Sequence, residues 1–210
     1  MGDEVVLFDG RGGEYAARVG RVGKHNLGLE ILAHRPIERE LPFQATLVQG
    51  VSSGERMEFT IRKAVELGVS AIYPVLVAAS VARPKGERAA SRQSHWQKIA
   101  VSACEQCGRN RIPVVHPIRD DLSFLAGLES DRKLLLSPGA GDRLSSLIGK
   151  GSGYGSYVIA AGPEAGFGER EEAAFLRAGF AAASLGPRIL RTETAALAAL
   201  AALNALRGDF

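Results

Sequence analysis

The sequence predicts an α/β protein, a mostly parallel sheet covered by helices on both faces, with a short β-rich segment ahead of it. Three observations carry this. From residue 43 onward, short apolar β-branched runs alternate with runs whose apolar residues recur at helical spacing. Glycine and proline punctuate nearly every change of pattern, with 25 glycines in 210 residues. The balance of 46% hydrophobic and 23% charged residues is that of a chain with a real core, too apolar for disorder.

Taken in order, Glu4-Val5-Val6-Leu7-Phe8 reads as a strand, closed by the turn-forming cluster Asp9-Gly10-Arg11-Gly12-Gly13. Tyr15 to Val22 and Leu27 to Leu32 read as two more strands. Three strands rarely enclose a core of their own. His34 to Glu40 reads as a linker, which puts a boundary between a 1–40 β domain and a 41–210 α/β domain. Ala45 to Gln49 is a strand. Met57, Ile61, Ala64 and Val65 then follow helical spacing, with Gly68 as a C-terminal cap. Val69 to Val77 looks like a buried parallel strand despite Pro74. Trp96, Ile99, Ala100, Ala103, Cys104 and Cys107 mark one face of a helix ending at Gly108. Strands follow at 112–116, 133–136, 157–161 and 182–185, and helices at 121–128, 143–148, 169–178 and 192–206.

Several classes are excluded early. No apolar run reaches the ~18–20 residues of a membrane span, and Met1-Gly2-Asp3-Glu4 has no signal-peptide character. Two cysteines make no disulfide framework, so the expected compartment is a reducing cytoplasm. Charge is uneven: residues 83–111 carry Arg83, Lys85, Arg88, Arg92, Lys98, Arg109 and Arg111 against Glu87 and Glu105, a net of +5. This is the footprint of a polyanion partner, and equally that of a solvated loop and helix face.

Three segments are dense enough for chemistry. Ala160-Ala161-Gly162-Pro163-Glu164-Ala165-Gly166-Phe167-Gly168 lies where a strand hands over to a helix, and open α/β sheets bind ligands at such strand ends. It has neither the G-x-G-x-x-G spacing nor a Walker lysine, and alone it fits a structural turn as well as a cofactor loop. Leu185-Gly186-Pro187-Arg188-Ile189-Leu190-Arg191-Thr192-Glu193-Thr194 also joins a strand to a helix, with Thr192 suited to capping. A second Gly-Pro loop makes a joint ligand site more plausible than either alone. Cys104-Glu105-Gln106-Cys107 has zinc or redox spacing, but no second cysteine pair or histidine pair completes it, so no metal is expected. His25, His34, His95 and His116 stand near no nucleophile motif, which removes a hydrolase triad.

In this order, Gly54-Glu55-Arg56-Met57-Glu58-Phe59, Lys63 to Gly68, Cys104 to Arg109, Gly162-Pro163-Glu164 and Leu185 to Ala195 resemble the 16S ribosomal RNA uridine-N3 methyltransferases, the RsmE family of the SPOUT superfamily. The resemblance spans nearly the whole chain. It implies a C-terminal trefoil knot holding S-adenosylmethionine, a homodimer, and a PUA-like β-barrel that grips RNA, with the 16S rRNA of the 30S subunit as substrate. By the same carry-over, Ala161, Gly162, Pro163, Glu164, Gly166, Leu185, Gly186, Pro187, Ile189, Leu190, Thr192 and Thr194 hold the cofactor, and Arg83, Lys85, Arg88, Arg92 and Arg111 meet RNA. Two departures stand out. Ala165 replaces a usual second glycine, at a cost of ~1 kcal/mol wherever that position requires a left-handed backbone. Roughly thirty residues of the family barrel also precede the point where this sequence starts, so cofactor binding is expected to survive and RNA affinity to suffer.

The implied reaction sets requirements of its own. Uridine N3 must lose its proton and align ~3–3.5 Å from the methyl carbon, in a base turned out of its stack. Arg109 or Arg191 is expected to stabilise the uridine anion, Arg188 to meet phosphate or the closing loop, and Glu193 to be the carboxylate, with capping an equal role for it. The competing readings are an RNA-binding protein of this fold without catalysis, and a SPOUT enzyme acting at another RNA position.

Overall fold

The structure is a computed structural model describing residues 2–81, 83–148 and 155–210. It divides into two compact units, residues 2–40 with 104–112, and residues 41–103 with 113–210.

The first unit is an antiparallel sheet of β1 (Glu4–Leu7), β2 (Glu14–Val22) and β3 (Leu27–Arg35), in the order β1-β2-β3. β3 runs past Leu32 to Arg35, so His34 and Arg35 belong to the sheet rather than to a linker; the His34 ring packs 4.8 Å from that of Tyr15. Residues 36–40 are not free either. The Arg111 guanidinium pairs with Glu38 at 2.8 Å, Asn110 donates to the Ile37 carbonyl, Arg109 pairs with Glu40, and Arg39 pairs with Glu14. Backbone bonds from Gly12 to the Asn110 carbonyl and from Ile112 to that of Gly10 complete the attachment. This explains why 104–112, distant in sequence, groups with the first unit.

The second unit is a six-stranded, wholly parallel sheet in the order β6-β5-β4-β8-β7-β9. Its strands are β4 (Gln44–Gly50), β5 (Ala71–Val75), β6 (Val114–Val115), β7 (Arg132–Leu136), β8 (Ser156–Ala161) and β9 (Ala181–Ala183). The helices are α1 (Gly54–Glu66), α2 (Glu87–Cys107, whose last turn belongs to the first unit), α3 (Leu144–Ile148), α4 (Glu169–Arg177) and α5 (Thr192–Arg207). The alternation of apolar residues with a period of two places Val48, Val75, Leu135, Val158 and Ala160 on one face, where Leu125 and Phe175 cover them. α5 packs with α1 and α3 and against β4 and β8. One face of α5 is buried, with Ala196, Ala199, Leu200 and Leu203 on it, and the Asn204 amide donates to the Leu67 carbonyl at 3.0 Å. Among the described residues no helix is long and apolar enough to cross a membrane.

Several elements differ from the sequence-based expectation, each for a local reason. Strand 112–116 shrinks to Val114–Val115, because Pro113 and Pro117 on either side lack the amide a ladder needs. The helix expected at 121–128 is a 3₁₀ turn at Ser123–Gly127, started by the Asp121 carboxylate accepting the Ser123 amide. α2 starts nine residues before Trp96, at Glu87, and its polar first turns show no apolar period that would mark it. The strand expected at 182–185 is Ala181–Ala183. Pro74 is tolerated inside β5 because its carbonyl, and so its missing amide, face the β6 side beyond the end of that short strand; the carbonyl accepts from Arg119 there.

Candidate functional site

The carboxyl ends of β7, β8 and β9 open into a cavity of about 350 Å³, within the ~300–1,000 Å³ of small-molecule sites. Both Gly-Pro segments line it. Ala161 to Phe167 follow β8, and Leu185, Gly186, Arg188, Ile189, Leu190 and Thr192 come from the loop between β9 and α5. Leu136, Ser137 and Pro138, at the end of β7, close a third side, with Glu172 from the first full turn of α4 and Ala195 from α5.

The loop after β8 is held from several directions. The Thr192 hydroxyl, at the start of α5, donates to the Gly162 carbonyl and so ties the two loops together. The buried Gln49 of β4 donates to the same carbonyl at 3.3 Å and to the Thr192 hydroxyl at 3.1 Å. Gly162 is required here by space: a Cβ would lie 2.8 Å from the Gly166 backbone and 3.0 Å from the Phe167 nitrogen. Gly166 and Gly186 have φ of +77° and +101°, backbone that favours glycine. No residue other than glycine has positive φ among the described residues, so Ala165 sits in ordinary backbone and carries no left-handed penalty.

The Glu164 side chain reaches α1. Its carboxylate accepts the Ser53 amide at 2.9 Å and pairs with Arg56 at 3.1 Å, at the positive end of that helix. Burial alone would raise its pKa, but these backbone and side-chain donors win and hold it below the usual carboxylate range. The pairing therefore stabilises the loop at every pH above that range and is lost as pH falls through the lowered value. Glu164→Gln is expected to flatten the acid limb of the pH–affinity curve for any ligand of this cavity, measured by titration from pH 7 down to 4; an unchanged limb would refute the role.

The expected site residues do not all converge. Pro187 and Thr194 are exposed, and neither they, Arg191 nor Glu193 is among the cavity's lining residues. Arg191 is the N-cap position of α5; Glu193 is half-buried, with one carboxylate oxygen unpartnered among the described residues. Arg109 lies in the first unit, 5% exposed, with its Nε 3.0 Å from Glu40 and a second nitrogen on the other carboxylate oxygen. Arg83, Lys85 and Arg88 are exposed and Arg92 half-buried, all in the second unit, while Arg111 belongs to the first and pairs with Glu38. Cys104 is buried and its thiol pushed up to about 11, chiefly by that burial, so it is a core side chain; no group of three potential metal ligands occurs among the described residues.

Residues 39–204 match the family model described as an RNA methyltransferase domain. The chain is 32% identical to the ribosomal RNA small subunit methyltransferase E of Buchnera aphidicola over 99% of this chain and 83% of that one. The Bacillus subtilis protein of the same name is 30% identical, over 99% and 85%. This chain belongs to the ribosomal RNA small subunit methyltransferase E family. The crystal structure of the Neisseria gonorrhoeae family member, bound to S-adenosyl methionine, superposes with a TM-score of 0.90 at 44% identity, covering 100% of this chain and 85% of that one.

Within this family member, sequence reasoning missed Gln49, Glu172 and the Ser137-Pro138 corner. Gln49 carried one signal, a polar side chain at a strand position whose alternation with Ala45 and Leu47 points to the core. Ser137-Pro138 carried none beyond its place after a strand.

Proposed function

We propose that this chain transfers a methyl group from S-adenosylmethionine to N3 of a uridine in the decoding region of 16S rRNA, within the small ribosomal subunit. The observation that carries the reading is that two Gly-Pro loops, more than twenty residues apart, line one cavity at the strand ends and are hydrogen-bonded to each other through Thr192 and Gly162. The residues present fit the cofactor: the cavity has small-molecule volume, and Gly166 and Gly186 in its lining leave open the space a side chain would fill. Ala161, Gly162, Pro163, Gly166, Leu185, Gly186, Ile189, Leu190 and Thr192 would hold it, largely through backbone groups. Bound there, S-adenosylmethionine supplies an electrophilic methyl on a positively charged sulfur.

The chain's own residues must then bind the base and manage its proton. Arg188 is the arginine that lines the cavity, and a guanidinium there favours the uridine anion over the neutral base. Glu172 is the carboxylate in that lining beside Glu164, which is committed to Ser53 and Arg56. Glu172 therefore joins Glu193 as a candidate to accept the N3 proton. Arg191 and Arg109 remain candidates for the anion in an RNA-bound state.

The knot, the barrel and the dimer belong to the same proposal. The chain after β7 and the chain after β9 stay hydrogen-bonded beyond their strands: Ser137 donates to Ala183, Ser184 to Asp142, and Leu144 to Ser184. The antiparallel β1-β2-β3 sheet is the PUA-like RNA-gripping element, and Arg83, Lys85, Arg88 and Arg92 of the second unit meet RNA phosphates. The functional protein is a homodimer. The deciding experiment is methyl incorporation into 30S subunits from cells lacking the activity, with nucleoside identification by mass spectrometry. The expected product is 3-methyluridine; a different methylated nucleoside or no incorporation contradicts the proposal.

A further inference from the structure

β8 and β9 are not neighbours in the sheet, since β7 lies between them. The ladders therefore do not link the two loops that follow these strands, and something else must fix their spacing. A buried glutamine on the far side of β8 does so. Gln49 pairs with Ala161 across the β4–β8 ladder and has no exposed surface. Its Nε2 lies 3.3 Å from the Gly162 carbonyl, 3.1 Å from the Thr192 hydroxyl and 3.0 Å from the Gly50 carbonyl. All three neighbours need a donor. Two are carbonyls, and the Thr192 hydroxyl gives its proton to Gly162. Only the –NH₂ end of the carboxamide can serve them, its two N–H groups shared among the three, which leaves Oε1 without a partner among the described residues.

We propose that Gln49 is a positioning residue that couples the two loops: its amide holds the Gly162 carbonyl and the Thr192 hydroxyl at once and so supports the direct bond between them. The inference rests on the reading of this cavity as the S-adenosylmethionine site, and it adds a residue outside both loop motifs. A side chain that merely filled space would be replaceable by any apolar group of its size. A coupler is not, because its loss removes a donor from both loops at once and leaves the Thr192–Gly162 bond without that support.

Three variants test this. Gln49→Met keeps length and removes both donors. Gln49→Glu keeps shape, but as an anion it cannot donate. Thr192→Val removes the hydroxyl that links the two bonds. Calorimetric titration with S-adenosylmethionine is expected to show Gln49→Met weakened ~10-fold or more. The Gln49→Met/Thr192→Val double variant should be weakened no more than about the worse single, since the groups act as one unit. Gln49→Glu should regain affinity on acidification, because its protonated carboxyl donates again and burial raises the pH at which it does so; Gln49→Met should not. In the cofactor-free chain, amide exchange in Gln49→Met should rise together in 162–168 and 185–195. Additive losses, a flat pH response in Gln49→Glu, or faster exchange in one loop alone would overturn the coupling. Failure of the parent chain to bind S-adenosylmethionine would instead overturn the cavity assignment, and exchange would still decide the coupling.

Discussion

Gly162→Ala is expected to weaken S-adenosylmethionine binding by ~100-fold or more, about 2.7 kcal/mol, while the rest of the sheet keeps its fold. The new methyl would meet the Gly166 backbone at 2.8 Å and the Phe167 nitrogen at 3.0 Å, and neither is the flexible end of a side chain. Relief requires the 162–167 segment to move. That movement breaks the bonds the Gly162 carbonyl accepts from Thr192 and Gln49. It also shifts Pro163 and Glu164, which line the cavity. Calorimetric titration reads the loss, and thermal unfolding with Trp96 as reporter separates it from global destabilisation, since that side chain is buried in the second unit. Parent-like affinity in the variant would show that the close approach of the loop to itself is not part of the site.

The second large effect lies away from the cavity. Arg109→Ala is expected to destabilise the first unit by ~3 kcal/mol, at the lower end of what removing one partner of a buried ion pair costs. Arg109 is 5% exposed, and the Glu40 side chain retains 22% exposure, so water relieves part of the stranded charge. Glu40→Ala should cost a similar amount, and the double variant less than the sum. Hydrogen exchange over 34–40 and 104–112 reads these changes directly. The same pair of variants separates the two roles proposed for this arginine. If Arg109 serves the first unit through Glu40, both variants lower turnover in parallel; if it acts on the uridine, Arg109→Ala lowers turnover and Glu40→Ala does not.

Much of this molecule was legible in the sequence where information is local. The βα units announced themselves because buried parallel strands such as Tyr157–Ala161 are continuous apolar runs, and because α1 keeps Met57, Ile61, Ala64 and Val65 on one face. The two Gly-Pro loops stood out because close backbone approach and positive φ restrict residue choice, and Gly162, Gly166 and Gly186 meet those restrictions. What was hidden depends on partners far along the chain. The attachment of 109–111 to 37–40 joins residues about seventy apart, and an ion pair at that distance leaves no periodic trace. The sequence offered Arg109 only the nearby Glu105 as a partner and Arg111 none, when the carboxylates they face are Glu40 and Glu38. Gln49 was passed over because its three acceptors come from Gly50, Gly162 and Thr192, two of them more than a hundred residues away. The length of α2 was hidden for the opposite reason: its first two turns are polar, and the helix continues there without burying a stripe.

Hydrogen exchange with and without S-adenosylmethionine tests the central claim most directly. Saturation should slow exchange together in 162–168, in 185–195 and at the 136–138 corner of β7, with little change in 2–40. Protection confined to one loop, or falling elsewhere in the chain, would contradict a single cofactor cavity formed by both.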